Sequence, residues 1–305
     1  MFFKIETVAK NETQSLIRQK TFALMLAIFL FMASFSAYIG WSTKNTILSV
    51  YAQTVKEMTA QGIKEIPNNP FLSTPPLSIL KNMVVYVFLI GSLMAIIVGH
   101  SSFIRERRAG VSKIIFSKSM GKWEFVLGKM SGIFLALTII NAISFALSFF
   151  SITIIFSHLL SMPETLKLLA FYGTSLLYML IFAFIGLFFA IVSRSESLSL
   201  LIPVVIWIFI SFVMPQLTSA LDPTALLNPT SIQTPAPQNN FFQNAQSIIH
   251  PFSVSESYKS IGRSLLQGDS NSYPFLPLIA YLIVVTGSCF YGMGKFNICE
   301  AEIDQ

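Results

Sequence analysis

The sequence predicts an all-α integral membrane protein with six transmembrane helices, and three observations carry that reading. Hydrophobic residues make up 53% of the 305-residue chain and charged ones only 11%, with 29 phenylalanines. A soluble domain of this size does not sustain such a balance. Apolar runs approaching or exceeding the ~20 residues needed to cross the hydrocarbon occur six times. Basic residues are also unevenly placed: Arg105, Arg107, Arg108, Lys113, Lys118, Lys122 and Lys129 crowd one stretch between two of those runs. Translocation of such a cluster is opposed, so it marks the cytoplasmic side. The formal charge of +6 follows from the same bias, and nucleic-acid binding is not needed to explain it.

Residues 1–20 do not form a span. Ile5, Val8, Ala9 and Leu16 share one side of a helical wheel with Phe2, while Lys4, Asn11, Gln14 and Arg18 take the other. That pattern predicts a helix lying in the cytoplasmic interface. Residues 21–305 hold the membrane domain, and its first span runs over about 21–41. A signal peptide is the competing reading there, since Ser34-Phe35-Ser36 imitates a cleavage site. The long polar leader with Glu6 and Glu12 and the length of the apolar run argue against it. Beyond the membrane, Ile47, Val50, Tyr51, Val55 and Met58 recur at helical intervals, so the first span continues as an external amphipathic helix that Gly62 can end. Pro67, Pro70, Pro75 and Pro76 then break the return.

The second span covers about 82–104. Gly91, Ala95 and Gly99 repeat every four residues, a stripe that admits close helix packing, either within one subunit or at a dimer face. His100, near its cytoplasmic end, reads as an interfacial histidine. The third span, about 131–157, carries Asn141, Ser144, Ser148 and Ser151 on one face. Interhelical hydrogen bonding and lining of a translocation path both account for that stripe. A short outer turn leads to the fourth span (about 166–192), where Gly186 and Ala190 offer another close-packing face. The inner loop Ser193–Glu196 leads to the fifth span (about 198–217), with Pro203 near its start. Prolines rule out long helices early in the outer segment Thr218–Tyr273. Later, Ser253 and Glu256 have capping-box spacing, with Tyr258, Ile261 and Leu265 on one face and Gly268 as a stop. These predict an amphipathic helix on the outer surface. The sixth span is about 274–294, and both termini fall in the cytoplasm. Cys289 and Cys299 imply no disulfide framework.

In the basic stretch Arg105–Lys129, Val111, Ile114, Ile115, Val126 and Leu127 recur at helical spacing between lysines, which predicts short amphipathic helices at the membrane surface. Glu106-Arg107-Arg108-Ala109-Gly110, then the apolar patch, Ser117-Lys118-Ser119, and Leu127-Gly128-Lys129 entering the next span together resemble the loop between the second and third spans of type-2 ABC exporter permeases. The proline usual before the basic residue is absent, with Phe116 and Ser117 in that region. The resemblance, with the six-span layout, covers most of the chain. It implies a coupling helix seated on an ATPase subunit. Glu106 would orient the turn or bond a neighbouring backbone or basic group, and Gly110 would permit the bend. Ile114, Ile115 and Phe116 would enter the ATPase cleft, with Lys113 and Lys118 at its rim. It also implies a second permease subunit, identical or different, and short re-entrant or surface helices between the last two spans.

No G-x-x-x-x-G-K-[ST] loop, H-E-x-x-H, G-x-S-x-G or Cys-x-x-Cys occurs, so no cofactor or metal is expected on this chain, and ATP with Mg would sit on the partner ATPase. No acid or base lies well inside the predicted spans, which disfavours ion coupling and points to energy delivered from outside the membrane. Three readings follow. The chain is the permease subunit of an ABC exporter in the cell's inner membrane; or a mechanotransmitter of the same fold acting on a periplasmic accessory protein, as in nitrous-oxide reductase copper-site maturation; or a non-transport scaffold or intramembrane enzyme. A lipid, an apolar peptide or an antibiotic would suit the phenylalanine-rich interior equally well.

Overall fold

The computed structural model describes residues 2–62, 68–69, 75–108, 120–217, 240–249, 252–268 and 275–296. Gly110, Lys113, Ile114, Ile115, Phe116 and Lys118 lie outside the described residues, as do 218–239 of the outer segment, Cys299 and the C-terminal acids. Among the described residues the chain is helical, without strands: α1 (Phe2–Ile17), α2 (Lys20–Ala60), α3 (Pro76–Arg108), α4 (Lys122–Phe156), α5 (Met162–Val192), α6 (Glu196–Val213, continued by Met214–Leu217), α7 (Asn240–Ile249), α8 (Val254–Gln267) and α9 (Leu276–Lys295). Six of them, α2 to α6 and α9, are long and apolar enough to cross a membrane. The protein is an all-α, multi-pass membrane protein.

Two ends of the bundle differ in chemistry. The basic end holds α1, the last turn of α3 and the first turns of α4. The far end holds the start of α3, the C-terminus of α4 and α8. Helix α2 spans 41 residues, or ~61 Å at 1.5 Å per residue, against a hydrocarbon core of ~30 Å. Its first half buries Phe22, Met25, Phe29 and Met32 on one face. Its later turns project beyond the bundle and end where Gly62 takes φ +77°, a left-handed conformation glycine adopts without cost. On the way, Lys44 donates to the Ile155 carbonyl at 2.6 Å. A cation thus meets the C-terminal, partially negative end of α4.

The middle of the bundle is α5, with 72% of its most apolar stretch buried against 17% for α6. The crossing of α3 and α5 is as close as helices allow. A Cβ on Gly99 would stand 1.8 Å from the Ala183 carbonyl oxygen, and one on Gly186 would stand 2.4 Å from that of Ile96. The small-residue stripe of α3 therefore meets neighbours in the same subunit: Gly99 meets α5, a Cβ on Gly91 would stand 3.0 Å from Phe29 Cζ of α2, and Ala95 is buried in the core. Helices α3 and α6 each contain a π turn, Val87–Gly91 and Phe209–Val213. Beside these turns the Trp207 indole donates to the Ser92 hydroxyl at 2.7 Å, so the two irregular stretches are joined.

Helix α8 departs from its expected place. It is amphipathic, it is capped by Ser253, which accepts from the Glu256 amide at 3.3 Å, and it stops at Gly268 with φ +78°. However, it does not lie on the surface. Val254, Tyr258, Ile261 and Leu266 are buried, and so are Ser255, Ser257 and Ser260. The tyrosine stacks on Tyr178 at 4.4 Å and shares a 3.0 Å hydrogen bond with Ser175 of α5. Gly262 lets the helix approach Val84 of α3. The buried part of the polar face is Ser255, Ser257 and Ser260, small hydroxyls that cost little to bury once they find a nearby acceptor, so that part of it enters the bundle while Arg263 stays exposed.

Candidate functional site

The described residues nearest the predicted coupling segment form a buried ionic knot. Lys129, on the second turn of α4, is 1% exposed, and Glu12 of α1 is 3% exposed. The Lys129 ammonium donates to the Glu12 carboxylate, to Glu106 Oε1 at 2.5 Å and to the Ser102 carbonyl at 2.8 Å. An ammonium has three donors, and all three are used. The other Glu12 oxygen accepts from Arg105 Nη2 at 2.9 Å. Arg105 also donates to the Ser15 hydroxyl and to the Ser101 carbonyl at 3.0 Å. Two carboxylates and two cations are thus interleaved across α1, α3 and α4. Glu106 Oε2 is buried with no partner among the described residues.

Local sequence explains why α1 reaches Lys129. Gly128 and Gly132 flank it in a G-x-x-x-G pattern, and their missing side chains open a groove on α4. A Cβ on Gly128 would stand 2.5 Å from Val8 Cβ, and one on Gly132 would stand 2.6 Å from Glu12 Cβ. Helix α1 lies in that groove with Ala9 and Leu16 buried. Glu12 falls on the same stripe as Ile5, Val8, Ala9 and Leu16, spaced as one helical face. An acid on an apolar stripe, opposite a lysine between two glycines, is the signal that could have revealed the knot.

Other residues pin the remaining ends of the stretch. Arg107, buried, points away from the knot and donates through Nη1 to the Ala190 and Ser193 carbonyls at 3.0 and 2.6 Å. Arg108 Nε meets Glu196 of α6 at 2.7 Å. On the other side, Lys122 donates to the Phe296 carbonyl at 2.7 Å, and Trp123 stacks on Phe290 of α9 at 5.1 Å. Glu124 turns back to accept from the Gly121 amide at 3.1 Å, starting α4. Both stems of residues 109–119 are therefore tied to α1, α5, α6 and α9. A cleft of about 480 Å³ opens beside the knot, between α1 and the stems, lined in part by Asn11, Ser15, Glu106, Met120 and Phe125.

Of the predicted coupling residues, only Glu106 falls within the described region, where it bonds a basic neighbour, Lys129. The polar stripe stands apart from it: Asn141 is twelve residues along α4 from Lys129, ~18 Å at 1.5 Å per residue. Asn141, Ser144 and Ser148 are buried and Ser151 is half-buried. Asn141 Nδ2 donates to the Leu137 carbonyl at 3.0 Å and approaches Met179 Sδ at 3.8 Å. Ser148 shares a 2.6 Å bond with Tyr172 of α5. Asn141 Oδ1 and Ser144 Oγ have no partner among the described residues. His100 is buried and bonded to Ser199 of α6 at 2.8 Å, a partner the sequence did not suggest. No group of three or more His, Cys, Asp or Glu side chains among the described residues could hold a metal.

Six apolar helices with a buried ionic knot at one end of the bundle define a polytopic membrane protein. The chain belongs to the ABC-2 family of transporter proteins, whose family model matches residues 6–295. That match begins within α1 and ends at the last residue of α9, so it takes in the ionic knot as well as the spans. The protein is accordingly a membrane permease component of the ABC class. Comparison with functionally curated proteins returned no match.

Proposed function

We propose that this chain is the transmembrane permease subunit of an ABC exporter, driven by ATP and Mg on a separate ATPase chain that docks on residues 109–119. The observation that supports this most is the anchoring of both stems of that segment. Glu106 and Lys129 join them directly, and Glu12, Arg105, Arg107 and Lys122 tie them to the rest of the bundle. A push on the segment would be passed to α3 and α4 rather than absorbed by a loose loop. In this reading Gly110 permits the turn, Ile114, Ile115 and Phe116 fill the ATPase cleft, and Lys113 and Lys118 steer docking. The basic end faces the cytoplasm of the cell's inner membrane, and both termini lie there.

A second permease subunit completes the transporter. Helix α6 is the least buried of the six apolar helices, and its exposed Leu201, Val205, Ile208, Phe209 and Phe212 offer a surface for that subunit. Asn141, Ser144 and Ser148 serve either helix packing or the translocation path. The mechanotransmitter reading draws support from one feature: α2 projects well beyond the bundle, a surface suited to a periplasmic partner.

The test is co-expression with the ATPase encoded beside this chain. Wild type should co-purify with it. Folded, membrane-inserted Ile114→Asp, Gly110→Val and Glu106→Ala should lose co-purification or stimulated hydrolysis. Normal binding and stimulation by all three variants, or no ATPase bound by wild type, would reject coupling and leave the scaffold reading.

A further inference from the structure

Helices α3 and α6 run antiparallel, and their register is fixed at two levels. His100 of α3 is bonded to Ser199 of α6 at 2.8 Å, and Trp207 Nε1 of α6 donates to the Ser92 hydroxyl of α3 at 2.7 Å. Positions 92 to 100 on one helix and 199 to 207 on the other are equal lengths, so the pair stays in step between the two contacts. Four residues further out, the same register sets Phe88 opposite Ser211. Both lie inside π turns, Val87–Gly91 of α3 and Phe209–Val213 of α6. The two π turns of the described residues thus face each other at one depth of the bundle.

The turns differ in how their polar groups are satisfied. A π turn winds more loosely than its surroundings, and the carbonyls beside it leave the regular ladder. In α3 Ser92 compensates: its hydroxyl donates to the Phe88 carbonyl at 2.6 Å, and its oxygen receives the Trp207 N–H. The same indole packs edge-on against Phe212, within the other turn, at 5.7 Å. Ser211 is 4% exposed, yet its hydroxyl has no partner among the described residues. In the regular helix α5, the buried Thr174 and Ser175 donate to the carbonyls four residues back, each at 2.8 Å. The matching acceptor for Ser211 is the Trp207 carbonyl, which α winding would bring within reach.

The turns also divide the bundle. Inward of them stand the glycine crossings of α3 on α5 and the ionic knot. Outward, α3 meets α8, where a Cβ on Gly262 would stand 2.9 Å from Val84. We propose that the facing π turns are a hinge, at which α3 and α6 convert together between π and α winding. The Trp207–Ser92 bond couples them and holds the π form, and the idle Ser211 hydroxyl favours the α form. Conversion shifts the outer segments by one residue, ~1.5 Å along and ~100° around the helix axis. One helix converting alone would throw those segments out of register. The hinge needs only the fold of this chain and stands or falls independently of ATPase docking.

The test is double electron–electron resonance on the full-length protein in lipid nanodiscs, in a Cys289→Ala/Cys299→Ser background. One spin-label pair, Lys81→Cys with Lys167→Cys, reports the outer segment of α3. A second, Met214→Cys with Lys167→Cys, reports that of α6. Trp207→Phe removes the indole donor and keeps an aromatic ring. It should move the ratio of two distance populations about fivefold in both pairs, the factor that a neutral hydrogen bond of about 1 kcal/mol carries. Ser211→Ala removes what favours the α form and should move both ratios about as far the other way. Should Trp207→Phe fail to insert, Ser92→Ala removes the same bond and should give the same shift. A response of one pair alone overturns the coupling and with it the proposal. A shift of Ser211→Ala in the same direction as Trp207→Phe does so too. One unmoved distance in each pair through all three variants means that there is no hinge.

Discussion

Helices α1 and α8 both stand outside the six apolar helices and both bury a stripe against them, but different forces hold them. Helix α1 is held through charge: Glu12 is sealed between Lys129 and Arg105 in a groove made by two glycines. Helix α8 is held through neutral groups: Tyr258 stacks on Tyr178 and meets the Ser175 hydroxyl, with buried serines around it. The difference lies in how each contact fails. Removing one member of a buried ion cluster strands the others, a loss of ~3–5 kcal/mol. Removing one neutral hydroxyl costs only ~1 kcal/mol, because the partner keeps another bond or none is needed. The basic end is therefore stiff and intolerant of change, whereas the far end can rearrange at small cost.

The sharpest way to break the comparison is Lys129→Met, which leaves Glu12 and Glu106 facing each other in a buried site. It should cost ~3–5 kcal/mol, seen as a large drop in the melting temperature of the detergent-purified protein. Adding Glu106→Gln removes one stranded charge and should recover part of the loss. Strict additivity of the two changes would show that the knot is not a unit.

Gly132→Val asks whether the groove is needed as well as the charges. The new side chain meets Glu12 Cβ, so α1 must lift, at ~1–3 kcal/mol for overpacking. Limited proteolysis within residues 2–17 should speed up while the spans stay protected. Unchanged cleavage would mean that α1 is anchored by the ions alone.

The smallest effect is expected at the far end. Tyr258→Phe removes the hydroxyl but keeps the ring stack, and Ser175 still donates to the Phe171 carbonyl at 2.8 Å. A loss of about 1 kcal/mol or less follows. A loss as large as that of Lys129→Met would erase the distinction between the two ends.

Much of this architecture is legible without coordinates. Hydropathy locates the apolar helices because partition into hydrocarbon is a local property of ~20 consecutive residues. Helical periodicity foretells α1, the extension of α2 and α8, and the positions of Gly62 and Gly268 foretell where two of those helices stop. The absence of a phosphate-binding loop is equally local. What the sequence leaves open is which surface each stripe meets. Lys129 reads as one lysine of a basic stretch entering a span. Only the crossing of α1 over Gly128 and Gly132 makes it the centre of a buried knot, because its partners Glu12 and Glu106 are 117 and 23 residues away in the chain. Arg105 and Arg107, two residues apart, diverge to α1 and α5 because a helix turns ~200° over that interval, at 3.6 residues per turn. Helix α8 reads as a surface helix since its second face is polar, yet the small hydroxyls of Ser255, Ser257 and Ser260 let part of that face be buried against its neighbours. Local composition determined which helices are apolar enough to cross a membrane and where the amphipathic stripes run. Tertiary structure alone decided which polar side chains meet, because charge pairing and close glycine contacts depend on distances between segments that are remote along the chain.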